Sequence, residues 1–394
     1  MESVQHPLHE RVRPTFELGA VPPVRIVDLF AGCGGLTLGL AQAAAAHGRR
    51  VEIPLAVDFE PLATRVYRDN YPFAERVETA AVEEFFDGDL GTDPTLTEYR
   101  TKASVGEVTI LTGGPPCQGH SNLNNHTRRI DAKNALYLRM ARAAEILMPE
   151  IVLIENVPAV LRDRHDGEGV VSRAKRHLEK LSYRVAEAIV ALETIGVAQT
   201  RRRHLMLAMR DRRSDPNEVF ESLANADDRR DLRWAIHDLL GVDDGTLRDR
   251  APQAKADNLA RMQWLLAENE YDLPNRLRPK CHQNDTHSYK SMYGRLSWQE
   301  PAQTITSGFG SIGQGRFMHP DLPRALTAHE AARIQGFPDY FNFSGCSTRS
   351  ALATMIGNAV PPQLGNAVLQ RALAFGQISG QARPEVTLSS TRSA

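Results

Sequence analysis

A chain of 394 residues with 42% hydrophobic and 24% charged residues can bury a large core and is long enough for two domains. No apolar run reaches the roughly 18 residues that span a bilayer, and the opening "MESVQHPLHERVRP" has no apolar signal core, so neither membrane insertion nor export is expected. The net charge of −1 neither demands nor excludes an acidic partner, because a whole-chain sum hides local asymmetry.

Residues 1–23, with Pro7, Pro14, Pro22 and Pro23, read as a flexible extension. Apolar, strand-like runs then alternate with helix-like stretches. "VRIVDLF" (24–30) precedes "LTLGLAQAAAAHG", and "IPLAVDF" (53–59) precedes "PLATRVYRDNY". "EVTILT" (107–112) and "EIVLIENV" (150–157) bracket the helical "NALYLRMARAAEILM". Such alternation predicts a parallel sheet with crossover helices. "YRVAEAIVAL" and "RHLMLAMR" read as a β-hairpin or as sheet-edge strands. From residue 211 to 320 the chain turns polar and loop-rich and holds all three tryptophans, Trp234, Trp264 and Trp298, which marks a second domain. Residues 321–380 become helical again and read as a return to the first domain, 24–210, and 381–394 as a disordered tail.

Several positions carry chemistry. "DLFAGCGGLTLGL" (28–40) is a strand, a glycine turn and a helix start, where Gly32, Gly34 and Gly35 let a ligand approach the backbone and the helix N-terminus favours negative charge. It is not the dinucleotide fingerprint, because Thr37 stands where that pattern needs glycine. Asp58, closing the second strand, suits ribose hydroxyls, with Phe59 available to an adenine face; a plain tight turn is the alternative. "GGPPCQGHS" (113–121) puts Cys117 behind two prolines at a strand end, a place for presenting a group rather than for packing it. Glu155 ends the next apolar strand, where the choice lies between a helix cap, an ion pair and a ligand contact. In "QTRRRH" (199–204) strand alternation sends Arg201 and Arg203 to one face and Arg202 to the other. Basic Arg276, Arg278, Lys280, Lys290 and Arg295, interleaved with Tyr289 and Tyr293, suit a phosphate backbone, or form a solvated loop. "CHQNDTH" (281–287) lacks zinc-ligand spacing, so no metal is expected. Cys33, Cys117, Cys281 and Cys346 form no CxxC pair, which fits a reducing cytoplasm.

"DLFAGCGG", "GGPPCQGHS", "ENV", "QTRRR" and "GNAVPP", with "RLSWQEPAQTIT" and "RALTAHEAARIQGFP" before the last, occur in an order and spacing that resemble the DNA (cytosine-5)-methyltransferases of bacterial restriction-modification systems. The resemblance covers most of the chain. It implies a Rossmann-like S-adenosylmethionine-dependent sheet with helices on both faces and a smaller, loop-rich target-recognition domain at 211–320. It places the cofactor among Phe30, Gly32, Cys33, Gly34, Gly35, Asp58, Phe59, Glu78, Pro116, Leu136, Asn358 and Val360. Glu83 and Glu84 compete with Glu78 for the adenine-contacting carboxylate.

The resemblance also implies methyl transfer to C5 of a flipped-out cytosine, with Cys117 as nucleophile and Glu155, Arg201 and Arg203 around the base. Double-stranded DNA is then the substrate, contacted by Ser121 and the basic residues of 211–320. The protein would be a cytoplasmic, nucleoid-associated monomer, with a restriction endonuclease for the same site as companion. His120 departs from the phenylalanine usual in the family. A tRNA cytosine-5 methyltransferase or a non-catalytic DNA-binding relative would share the scaffold. An amino-directed methyltransferase would carry an acidic residue or asparagine before the two prolines, where this chain has Gly114.

Overall fold

The structure is a computed structural model that describes residues 6–19, 21–116, 135–210, 215–283 and 291–375. Seven strands form its central sheet: β1 (Val21–Leu29), β2 (Arg49–Asp58), β3 (Val77–Thr79), β4 (Ile110–Gly113), β5 (Ile151–Asn156), β6 (Arg184–Ala191) and β7 (Arg202–Met209). Their order is 3-2-1-4-5-7-6. Strands β1 to β5 are parallel, and β7 runs antiparallel to both β5 and β6. The parallel part and the antiparallel pair at its edge agree with the strand pattern of the sequence.

Both faces are covered, which is why the strands read as near-continuous apolar runs. Val24 and Ile26 of β1, Ala56 of β2, Leu153 of β5 and Leu207 of β7 pack into one core. Their neighbours Val27, Leu55, Val152 and Met206 pack into a second core on the other face, as the period-two side-chain alternation of a strand requires. Helix α1 (Gly35–Ala46) is buried almost all round and lies against α10 (Pro362–Phe375), where a Cβ on Gly39 would collide with the backbone carbonyl of Pro362. On the opposite face α4 (Ala135–Leu147) packs on α5 (Val170–Lys180).

Local signals set the helix starts. Glu60 caps α2 (Pro61–Asn70), which begins with proline at its first position. Capping boxes pair Thr95 with Glu98 in α3 (Leu96–Val105) and Thr327 with Glu330 in α9 (Ala328–Ile334).

Two boundaries differ from the sequence reading. Residues 6–19 are not a free extension: Leu8 and Phe16 are buried, Val51 N–H donates to Phe16 carbonyl, and Asp339 N–H donates to Leu8 carbonyl. Their apolar side chains have a core to enter, so the prolines shape a packed strap. The stretch 211–320 also divides. Helices α6 (Pro216–Ala224) and α7 (Leu232–Ile236), with Trp298, Ile305 and Phe317, join the first core. A separate small core gathers Met262 and Leu265 of α8 (Ala256–Ala267) with Leu273, Tyr293, Ile312, Met318 and Ala325. The expected tail, 381–394, lies outside the described residues.

Candidate active site

The parallel register brings the carboxyl ends of the strands to one edge: Leu29 lies beside Val57 and Gly113, and Gly113 beside Ile154. Open α/β sheets bind ligands at that edge. A cavity of about 650 Å³ opens there, within the range of small-molecule and cofactor sites.

One end of the cavity is built by the glycine turn. Phe30 holds a left-handed φ of 56°, followed by Gly32 at 55° and Gly34 at 88°. A non-glycine residue in that region signals a conformation imposed by its surroundings. Gly32 N–H donates to Asp58 Oδ2 at 2.8 Å and Glu60 N–H donates to Asp58 Oδ1 at 2.9 Å, so the carboxylate at the end of β2 is fixed before any ligand arrives. Burial raises the pKa of Asp58, against the pull of those two N–H groups. A Cβ on Gly32 would meet nothing within 4 Å, which leaves that backbone open to a ligand. Phe59 stands 64% exposed on the wall. Beneath the turn, Thr37 Oγ1 donates to the buried Asp28 at 2.6 Å, and burial pushes the Asp28 carboxyl up to about 7. Tyr71 Oη donates to Gly34 carbonyl at 2.6 Å.

The other end is polar and cationic. Arg203 Nε meets Glu155 Oε1 at 2.6 Å, with the two side chains 12% and 8% exposed. Arg201 donates to Ile305 carbonyl and Ala359 carbonyl, both at 3.1 Å. Its Nε finds no partner among the described residues. Burial, with Arg203 nearby, lowers the Arg201 pKa to about 9. Asn156 Nδ2 donates to Pro115 carbonyl at 2.9 Å, tying the strand that carries Glu155 to the proline turn.

Of the residues singled out in the sequence, Phe30, Gly32, Cys33, Gly35, Asp58, Phe59, Pro116, Asn358 and Val360 line one continuous cavity with Glu155, Arg201 and Arg203. Cys33 is buried, and burial pushes its thiol up to about 12. Gly34 caps α1 rather than lining the cavity, and Leu136, on α4, does not line it either. Glu78 is also absent from the lining: it pairs with Arg76 at 3.1 Å on the surface. Glu60 occupies the wall instead, a residue that sequence reading overlooked because it doubles as the cap of α2.

Cys117, His120 and Ser121 lie outside the described residues, as does Lys290. Arg276 is exposed over the Trp264 ring at 5.7 Å, and Lys280 is exposed. Arg278 Nε donates to Leu273 carbonyl at 3.0 Å. Arg295 Nε donates to Pro320 carbonyl at 2.5 Å, and its guanidinium lies 5.2 Å from the Tyr271 ring centre. The described residues hold no cluster of His, Cys, Asp and Glu able to bind a metal ion.

The family model for C-5 cytosine-specific DNA methylases matches residues 24–374. The chain belongs to that family. It is a DNA (cytosine-5)-methyltransferase. It is 42% identical over 357 residues to the Type II methyltransferase M1.BsuMI of Bacillus subtilis, covering 91% of this chain and 82% of that one. To the Type II methyltransferase M.Eco47II of Escherichia coli it is 30% identical, over 87% of this chain and 77% of the other. Solved structures share the fold. A prophage-encoded DNA modification methyltransferase of E. coli superposes with a TM-score of 0.61 at 22% identity, over 89% of this chain and 99% of that one. The Dnmt2 methyltransferase of S. pombe does so with 0.57 at 18%, over 89% and 98%. No helix among the described residues is long and apolar enough to cross a membrane.

Proposed function

We propose that this methyltransferase moves a methyl group from S-adenosylmethionine to C5 of a cytosine flipped out of a specific duplex sequence, through a covalent bond between Cys117 and C6. The observation that carries the reading is the single cavity with two chemically different ends: Asp58 and the glycine turn at one, the Glu155–Arg203 pair at the other.

The first end fits the cofactor. Asp58 keeps acceptor capacity for ribose hydroxyls while two N–H groups fix its position. The N-terminus of α1 offers its dipole to a carboxylate, and Phe59 offers an aromatic face for the adenine. Bound there, S-adenosylmethionine supplies an electrophilic methyl group on a sulfonium. Cys117 adds as thiolate to C6, and the electron pair released from the C5–C6 double bond makes C5 nucleophilic. Glu155 accepts from the N4 amino group and shares a proton with N3, which offsets the negative charge that thiolate addition puts on the ring, while Arg203 fixes the carboxyl that does so. After methylation C5 gives up its proton, the double bond re-forms and the thiolate leaves. A base stacked in a duplex cannot reach such a pocket, so the cytosine swings out of the helix.

In this reading the small core built around α8 carries target recognition, with Arg276, Arg278 and Lys280 on its surface and Lys290 and Ser121 as further DNA contacts. The names of the Type II relatives support a restriction endonuclease as companion, and the protein acts as a cytoplasmic monomer. The test is duplex DNA carrying 5-fluorocytosine, which blocks loss of the C5 proton and should trap the wild type covalently. Cys117→Ser should still bind DNA yet form no adduct and transfer no methyl. Bisulfite sequencing from a methylation-free host then gives the target. A serine variant with near-normal turnover would overturn the mechanism.

A further inference from the structure

We infer that Gln199 and Gln335 are positioning residues that hold the two walls of the cavity in register, and that Gln335 sets cofactor affinity without touching the cofactor. The inference rests on the cofactor reading above. Both side chains are fully buried, and neither lines the cavity.

Their amides face each other. Gln199 Nε2 donates to Gln335 Oε1 at 2.7 Å and reaches Ile334 carbonyl at 3.2 Å. Gln199 Oε1 accepts from Ile305 N–H at 3.1 Å. Gln335 Nε2 donates to Ile356 carbonyl at 2.6 Å. One residue pair thus grips the backbone of three segments far apart in sequence. Arg201, two residues beyond Gln199, grips two of them again through Ile305 and Ala359 carbonyls.

The gripped residues belong to the cavity lining or adjoin it. Ile305 lines the cavity with Thr304 and Thr306, Ala359 lines it with Gly357 and Asn358, and Ile356 directly precedes Gly357. The two loops also touch: a Cβ on Gly357 would collide with the backbone of Ser307. From Gln199 the chain runs through Arg201 into β7, where Arg203 pairs with Glu155, so the glutamine pair joins the wall that holds the base to the wall that holds the cofactor. A buried, hydrogen-bonded amide specifies one arrangement of its neighbours, and losing a bond loosens the group it held. Without Gln335, Ile356 carbonyl keeps only the longer bond from Ala359 N–H at 3.3 Å, which frees residues 357–360 to shift, Asn358 and Val360 among them.

The experiment is calorimetric titration of S-adenosylhomocysteine into the full-length wild type, Gln335→Met, Gln335→Glu and Leu223→Ala. Gln335→Glu keeps the acceptor for Gln199 but loses the donor to Ile356. Leu223, buried in α6, supplies a variant destabilised in the same core away from the cavity lining. Both Gln335 variants should bind about tenfold more weakly, as expected for one buried hydrogen bond lost. Leu223→Ala should bind like the wild type at a lower melting temperature. Wild-type affinity in Gln335→Met, or equal weakening in Leu223→Ala, overturns the inference. If the wild type itself binds no S-adenosylhomocysteine, the cofactor reading falls instead. Hydrogen exchange then decides the positioning role: the amides of Ile305 and Ala359 should exchange faster in Gln335→Met than in Leu223→Ala, and equal rates refute it.

Discussion

Replacing Glu155 by glutamine separates a structural role for this carboxylate from a chemical one. Glu155 lies at the end of β5, opposite Leu205 of β7 in the antiparallel register, and its Oε1 is 2.6 Å from Arg203 Nε. Removing one partner of a buried pair costs about 3–5 kcal/mol when the remaining charge is stranded. Arg203 is not stranded. It also donates from Nη1 to Arg202 carbonyl at 2.8 Å, and glutamine still offers it an oxygen. The stability loss should therefore be about 1–2 kcal/mol, a shift of a few degrees in Tm. Catalysis loses more. Glutamine keeps the shape of the side chain but can neither share a proton with N3 nor offset the charge on the activated ring. Transition-state stabilisation should fall by about 3 kcal/mol, roughly a hundredfold in rate. Single-turnover methyl transfer, measured beside a cofactor titration and a melting curve, reports the three quantities separately. Cofactor affinity should hardly change, because Asp58 and the glycine turn lie at the other end of the cavity. A variant that melts early yet methylates at the wild-type rate per folded molecule would falsify the catalytic assignment.

Gly114→Ala should slow methyl transfer with little effect on cofactor binding, because a Cβ there would sit 3.0 Å from Glu155 Oε2 and Arg203 restrains that carboxylate; an unchanged rate would show that the carboxyl has room to move. Asp28→Asn tests the buried carboxyl beneath the turn. Its folded-state pKa is raised to about 7 by burial, so the stability it contributes is complete below about pH 4 and is lost as pH rises through about 7. Asparagine keeps an acceptor for Thr37, so the melting temperature of the variant should gain on the wild type from about pH 5 to about pH 8; a difference independent of pH refutes this. Arg276→Ala should weaken binding to all DNA sequences alike and lower the salt slope by about one unit, whereas a loss confined to one sequence would make Arg276 a base reader.

The strand ends were legible because a parallel sheet buried on both faces leaves few places for charge. Asp58 and Glu155 stood out as carboxylates closing apolar runs, and both reach the cavity. Arginines alternating along β7 were legible for the same reason: Arg203 pairs with Glu155 and Arg201 binds carbonyls. Glu78 sits in the middle of β3 and pairs with Arg76 at the surface, while Glu60 lines the cavity wall, a difference that spacing alone does not reveal. A basic residue beside tyrosines suits a phosphate, and the Arg295 guanidinium over Tyr271, bonded to Pro320 carbonyl, shows that the same pattern also serves internal contacts.

The glutamine pair was illegible for a deeper reason. Gln199 and Gln335 are 136 residues apart, and each sits beside a residue with a stronger claim on attention, the arginines of "QTRRRH" and the aromatic of "IQGF". An uncharged amide carries no sequence signal of burial, because glutamine is mostly a surface residue. Its importance follows only from what surrounds it: Ile305 N–H and Ile334 carbonyl, backbone groups that no regular ladder satisfies and that must be paired once water is excluded. Loops that cross at the carboxyl edge of a sheet always create such orphaned groups. The residues that answer them are fixed by the topology that brings the loops together, so chemistry at the strand ends can be read before folding is known, and the framework that aligns it cannot.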